Sequence, residues 1–158
     1  MNLDKILVPL DGSALSEAAL PTAIDLVADR PMATVMLLRA AEAHSLGGDP
    51  TEAQARVIRE AQGYLDSVAA RLNGSGVKNV KTAVWYGPPA PAIVEAAQVS
   101  KVDMIVMSTH GRSGLGRLVL GSVAESVLRS TYTPILLVRD RTAPIEKSPE
   151  GVLTLRKA

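Results

Sequence analysis

Residues 104–122 read MIVMSTHGRSGLGRLVLGS, and this stretch decides the fold. The apolar run from Met104 to Met107, typical of a buried strand, leads into a loop rich in glycine and hydroxyl side chains. A helix is predicted to begin at Gly121-Ser122. In α/β proteins a strand, a small-residue loop and a helix in this order form anion sites, because loop amides and the positive end of the helix dipole face one point. Phosphate is therefore the first ligand that the stretch predicts.

Strand-like segments recur along the chain with helical segments between them, at residues 5–10, 33–40, 79–85, 102–107 and 134–138. That alternation predicts an α/β fold with parallel strands joined by helical crossovers. We expect an open five-stranded parallel sheet with strand order 3-2-1-4-5 and helices on both faces. Four of the strands are continuous apolar runs, as expected for strands covered on both faces, whereas the third alternates and is predicted to be an edge.

The helices are predicted from capping residues and apolar spacing. The first is expected to begin at Ser13 and to kink at Pro21. The longest begins at Thr51 and stops at Asn73-Gly74, and a short one is centred on Ile93. The helix after the glycine-rich loop is predicted to bury a stripe formed by Val123, Val127 and Leu128.

Length and composition restrict the function classes. A chain of 158 residues is expected to form one domain, here 1–140, with a tail at 141–158 whose mixed charges and prolines allow disorder. A net charge of +1 argues against nucleic acid or an acidic membrane as partner. The apolar runs are too short for a membrane span, no signal peptide pattern is visible, and a cytoplasmic protein is expected. The absence of cysteine excludes disulfides and thiol catalysis.

Two well-known nucleotide motifs fail on the glycine-rich loop. Gly111 and Gly116 have the spacing of a P-loop, but Arg117-Leu118 stands where Lys and Ser or Thr belong. Gly114 and Gly116 begin like a dinucleotide fingerprint, yet Val119 occupies the third glycine position and the loop follows the fourth strand. A P-loop and a dehydrogenase are therefore disfavoured, and a phosphate site built from close backbone amides remains.

The predicted strand order brings a second segment to this loop. Ligands of open parallel sheets bind beyond the carboxyl ends of the strands where the strand order reverses, here between the first and fourth strands. The segment from Pro9 to Ser13 then lies beside Ser108. Asp11 can accept hydrogen bonds from a ribose hydroxyl or an adenine amine, or it can cap a helix from an Asp-Gly turn. Ala40, at the end of the second strand, offers backbone groups to adenine.

These residues resemble the universal stress protein family from 5–13 to 134–138. The loop of the family's nucleotide-binding branch, Gly-x2-Gly-x9-Gly-Ser/Thr, is matched by Gly111 and Gly121-Ser122, with Ser108 in place of the first glycine. The resemblance implies a Rossmann-like fold of the adenine nucleotide alpha hydrolase type, which binds ATP, ADP or AMP together with Mg²⁺. It also implies a homodimer through the last strand, at Ile135, Leu136, Leu137 and Val138. The loop, the strand ends and the resemblance together predict a site formed by Pro9, Asp11, Ala40, Met107, Ser108, Gly111, Arg112, Gly114, Gly121, Ser122 and Val123.

The predicted function is that of an ATP-binding regulatory or stress-response protein without robust catalysis, with slow hydrolysis left open. His110 is the only titratable base in the loop, and no acidic residue of the loop would orient it. Two alternatives stay open. One is a nucleotide-free dimeric interaction module, which Ser108 favours, and the other is an ATP-consuming transferase, which needs a second substrate pocket.

Overall fold

A computed structural model describes residues 3–42, 49–109 and 120–139 of the chain. These residues form one parallel sheet in the strand order β3-β2-β1-β4-β5, which confirms the predicted order and makes β3 an edge, as expected. The elements alternate along the chain as β1 (Lys5–Pro9), α1 (Ala14–Glu17), α2 (Leu20–Val27), β2 (Thr34–Ala41), α3 (Pro50–Gly74), β3 (Val80–Tyr86), α4 (Pro89–Val99), β4 (Met104–Thr109), α5 (Ser122–Ser130) and β5 (Ile135–Arg139).

An apolar core lies on each face of the sheet. Ile6 and Val8 of β1 belong to the core beneath α2 and α3, whereas Leu7 between them belongs to the core beneath α4 and α5. All three side chains are fully buried. Because successive side chains of a strand point to opposite faces, a central strand with a helix layer on each side must be apolar at every position. The continuous apolar runs predicted this arrangement correctly for the central strands.

The fifth strand departs from that prediction. All residues of β5 are only half-buried. The strand is the second edge of the sheet, with β4 as its neighbour on one side, so the helix layers cover it incompletely. A continuous run of apolar residues therefore does not distinguish a central strand from an edge strand.

The predicted buried stripe of α5 is wrong at Leu128. Ala124 and Val127 are buried and Val123 is half-buried, but Leu128 is 52 % exposed. Adjacent residues of a helix are turned about 100° apart, so a short helix that faces the sheet with Ala124 and Val127 turns Leu128 outward. Leu128 was predicted to be buried because it is apolar, but its position around the helix axis exposes it to solvent.

The predicted kink at Pro21 is wrong, whereas the predicted end of the longest helix is confirmed. The helix expected to kink at Pro21 is two helices, and Pro21 lies in the first turn of α2, where its missing N–H costs no hydrogen bond. α3 ends at Gly74, as predicted, and the chain turns at Gly76, where φ is +96° and Val77 N donates back to Leu72 O at 3.2 Å. None of the helices in the three described ranges is both long and apolar enough to cross a bilayer.

Candidate functional site

The sheet opens where the strand order reverses. β1 and β4 pair at Ile6 with Met104 and at Leu7 with Ile105, and their described register goes no further. Beyond this point β1 stays with β2, since Leu10 N donates to Leu38 O at 2.8 Å. The carboxyl ends of β1 and β4 therefore part, and a cleft of about 410 Å³ lies there. This is the place at which open parallel sheets bind ligands.

Most of the residues predicted from the sequence meet at this cleft. Ser122, the exposed first residue of α5, is not among the lining residues. Gly111, Arg112 and Gly114, like His110, lie outside the described residues. The predicted residues that do line the cleft are Pro9, Asp11, Ala40, Met107, Ser108, Gly121 and Val123.

Two of these residues lie differently in their strands than expected. Ser108 was expected in the loop, but β4 continues through it to Thr109. It does so because β5 pairs that far, with Ser108 opposite Val138. Ala40 was expected to end the second strand, but β2 includes Ala41. β2 and β4 thus extend further toward the cleft than the apolar runs in the sequence predicted.

Several lining residues were not predicted. Val57 and Glu60 come from α3, and Ile93 comes from α4. No local signal in the sequence marks them, because the approach of a helix to a sheet depends on packing of the whole domain. Arg39 and Glu42, near the end of β2, also line the cleft. These two could have been found, because the strand-end rule that selects Ala40 applies equally to its neighbours.

Asp11 lies in a hydrogen-bonded turn between β1 and α1. Its Oδ1 accepts from Ser13 N at 2.9 Å and from Ser13 Oγ at 2.6 Å, and its own N–H donates to Ser16 Oγ at 3.2 Å. Ser13 Oγ in turn accepts from Ser16 N at 3.1 Å, which confirms Ser13 as the cap of α1. Burial raises the pKa of Asp11, but the hydrogen bonds from Ser13 and Ser16 outweigh it and hold that pKa below its ordinary value. The cleft therefore presents a fixed carboxylate at neutral pH.

A second polar network joins this turn to α3. Tyr64 donates to Glu17 Oε1 at 2.9 Å, and Arg71 donates to Glu17 Oε2 at 2.7 Å. The guanidinium carbon of Arg39 lies 4.9 Å from the centre of the Tyr64 ring, a cation–π contact. Burial and the neighbouring Glu17 carboxylate raise the pKa of Tyr64 to about 12. The network fixes the wall of the cleft that contains Arg39.

We expect this network to make the protein sensitive to alkaline pH. An unfolded tyrosine has a pKa of about 10, whereas burial and Glu17 raise the pKa of Tyr64 to about 12. A raised pKa contributes stability that is complete below the unfolded pKa and is lost as pH rises through the folded one. Thermal melts between about pH 9 and pH 12 should therefore show a smaller fall in Tm for Tyr64→Phe than for the wild type. The same substitution at the exposed Tyr132 should keep the wild-type dependence, and an unchanged profile for Tyr64→Phe would contradict this assignment.

The start of α5 lies at the cleft and presents backbone amides there. Gly121 caps α5, and Glu125 N donates to Gly121 O at 2.9 Å as the first helical hydrogen bond. The amides of the first turn lack helical partners, and the helix dipole adds positive potential there. Within the described ranges no group of three His, Cys, Asp or Glu side chains could hold a metal ion.

Comparison with known proteins agrees with the fold. The model of the universal stress protein family matches residues 2–139. The chain belongs to the universal stress protein family. It is 37% identical over 140 residues to the universal stress protein MJ0531 of Methanocaldococcus jannaschii, covering 85% of this chain and 81% of that protein.

Solved structures place this universal stress protein among the same folds. The structure used to assign a biochemical function to the hypothetical protein MJ0577 superposes with a TM-score of 0.73 at 28% identity, covering 90% of this chain and 99% of that one. A universal stress protein crystallised in complex with cAMP superposes with a TM-score of 0.67 at 25% identity, covering 85% and 96%. The open five-stranded sheet of this chain matches the fold of these structures.

Proposed function

We propose that this universal stress protein binds an adenine nucleotide in the cleft between β1 and β4 and acts as a nucleotide-dependent regulatory or stress-response factor. The main support for the proposal is that the carboxyl ends of β1 and β4 separate where the strand order reverses. The parting brings the Asp11 carboxylate and the start of α5 to one cleft. A ligand with hydroxyl or amine donors at one end and phosphate at the other suits both groups.

The residues around the cleft support a nucleotide of this kind. Ile93 and Met107 are buried apolar residues that line it, which suits the flat apolar faces of a purine. Ala40 supplies strand-end backbone groups, and Ser108 with Gly121 supplies the phosphate end. A relative at 25% identity was solved with cAMP, a nucleotide of the same chemical class.

The finer form of the proposal is ATP bound with Mg²⁺ by a homodimer in the cytoplasm, with one domain at 1–140. The dimer would form through β5, the edge strand whose apolar residues are half-buried and whose outer side lacks a neighbouring strand within the described chain. An apolar edge strand requires cover, and a second copy of β5 provides it.

Thermal unfolding with and without nucleotide tests the proposal. At a hundredfold excess over its dissociation constant a ligand stabilises the folded state by about 2.7 kcal/mol, which corresponds to a rise in Tm of about 5–10 °C for a chain of this size. We expect that rise with ATP and Mg²⁺ and a negligible change with Mg²⁺ alone. An unchanged Tm with ATP, ADP and AMP, together with no nucleotide in acid extracts of the purified protein, would contradict the proposal.

A further inference from the structure

One charged side chain in the cleft has no part in the site proposed so far. Arg39 of β2 lines the cleft next to Ala40, and its residue is half-buried. Within the described parts of the chain its guanidinium makes the contact with the Tyr64 ring but no hydrogen bond and no ion pair. A guanidinium carries five N–H donors, and a half-buried one normally finds acceptors. The donors of Arg39 are therefore available to water or to a ligand that enters the cleft.

The guanidinium is held in place on two sides. On one side is the Tyr64 ring, which is itself fixed by its hydrogen bond to Glu17. On the other side is Gly12, where an added Cβ would lie 3.4 Å from the guanidinium atoms. A group that is positioned before the ligand arrives loses little conformational entropy on binding. Arg39 is thus a preorganised donor at the strand-end side of the cleft.

The place of Arg39 in the fold indicates which part of a nucleotide it meets. The Asp11 carboxylate can accept hydrogen bonds from a ribose hydroxyl, and the Arg39 guanidinium lies next to Gly12, the residue that follows Asp11. Arg39 stands near the end of β2, on the same cleft as Asp11. The fork of a guanidinium matches two phosphate oxygens at once, which a lysine does not.

We propose that Arg39 makes the cleft selective for adenine nucleotides that carry a second phosphate on the 2′ or 3′ oxygen of the ribose. This inference rests on the proposed function, because it assigns the ribose end of the same site. The start of α5 binds the 5′ phosphate, and Arg39 binds the phosphate on the ribose. Tyr64 acts as a positioning residue through its contact with the guanidinium.

Calorimetric titration of the full chain with AMP, adenosine 2′,5′-bisphosphate and adenosine 3′,5′-bisphosphate tests the inference and identifies the ribose position. We expect one bisphosphate to bind about tenfold or more tightly than AMP, as a charge-assisted hydrogen-bonded pair allows. Arg39→Gln should abolish this preference and change the affinity for AMP less than about threefold. Arg59→Gln is the matched control, because Arg59 is exposed on α3 and does not line the cleft.

Two further variants keep the outcome decisive. Arg39→Met keeps an unbranched side chain and removes the charge, so it should lose the preference even if Arg39→Gln proves unstable. Tyr64→Leu should reduce the preference without changing AMP binding. Equal affinities of the wild type for AMP and both bisphosphates, or a preference that persists in Arg39→Met, would overturn the inference and leave the proposed function intact. If AMP, ATP and both bisphosphates all fail to bind, both the inference and the proposed function are wrong.

Discussion

Substitution of Gly121 by leucine is expected to abolish nucleotide binding while the protein stays folded. Gly121 lines the cleft at the first turn of α5, so a leucine side chain there occupies space next to the amides proposed to bind phosphate. Its backbone has φ −56° and ψ 146°, values that any residue adopts, and leucine therefore introduces no backbone strain. The expected result is no rise in Tm with ATP and Mg²⁺, against a clear rise for the wild type.

The matched control for this variant is Gly63→Leu. Gly63 lies in α3, is exposed, and would have no atom within 4 Å of an added Cβ. Leucine is the better helix former there by up to about 1 kcal/mol, so the control should gain stability and bind nucleotide normally. A Gly121→Leu protein that still shows the wild-type rise in Tm would remove the start of α5 from the site. The proposed dimerisation through β5, measured by gel filtration, should be unaffected in both variants.

Truncation of Leu7 to alanine is expected to cause a large loss of stability. Leu7 lies in the middle strand of the sheet, is 0% exposed, and packs in the core beneath α4 and α5. Removal of a buried leucine side chain costs about 2–5 kcal/mol, through lost burial and the cavity left behind. Urea denaturation should show this as a lower free energy of unfolding with an unchanged slope, since the folded and unfolded surfaces remain similar.

The same substitution at Leu128 provides the control. Leu128→Ala should change the free energy of unfolding by less than about 0.5 kcal/mol, because a side chain that is 52 % exposed loses little by truncation. The pair tests the turn of α5 as the structure shows it, against the buried stripe that spacing predicts. Equal losses for the two variants would mean that Leu128 is covered in solution, as it would be in an assembly.

The alternation of strands and helices and the two-sided core could be predicted from the sequence because they depend on local apolar character, whereas the strand order was predicted from the topology usual for such an alternation. Ile6, Leu7 and Val8 are apolar at successive positions, as a strand buried on both faces requires. Asp11 and Ser13 could be placed at the cleft by the rule for strand ends, and Ser13 as a cap by its residue type. These features follow from short segments and from the rule that connects parallel strands.

Other features depend on contacts between segments that are distant in the chain. Arg39 meets Tyr64 only because α3 packs over β2, and the sequence separation of the two residues gives no sign of it. The extension of β4 through Ser108 follows from pairing with β5, not from the composition of the segment itself. The exposure of Leu128 follows from the rotation of α5 about its axis. None of these three features can be predicted before the packing of the whole domain is known.

The central claim, an adenine nucleotide in the cleft between β1 and β4, is tested most directly by NMR titration of the labelled 16.6 kDa chain with ATP and Mg²⁺. The account predicts saturable shifts of the amides of Asp11, Ser108 and Gly121, which line the cleft. The amides of Lys5 and Asp103, at the amino ends of the strands, should stay in place. Shifts confined to residues outside the cleft, or none at ATP concentrations up to about 1 mM, would contradict it.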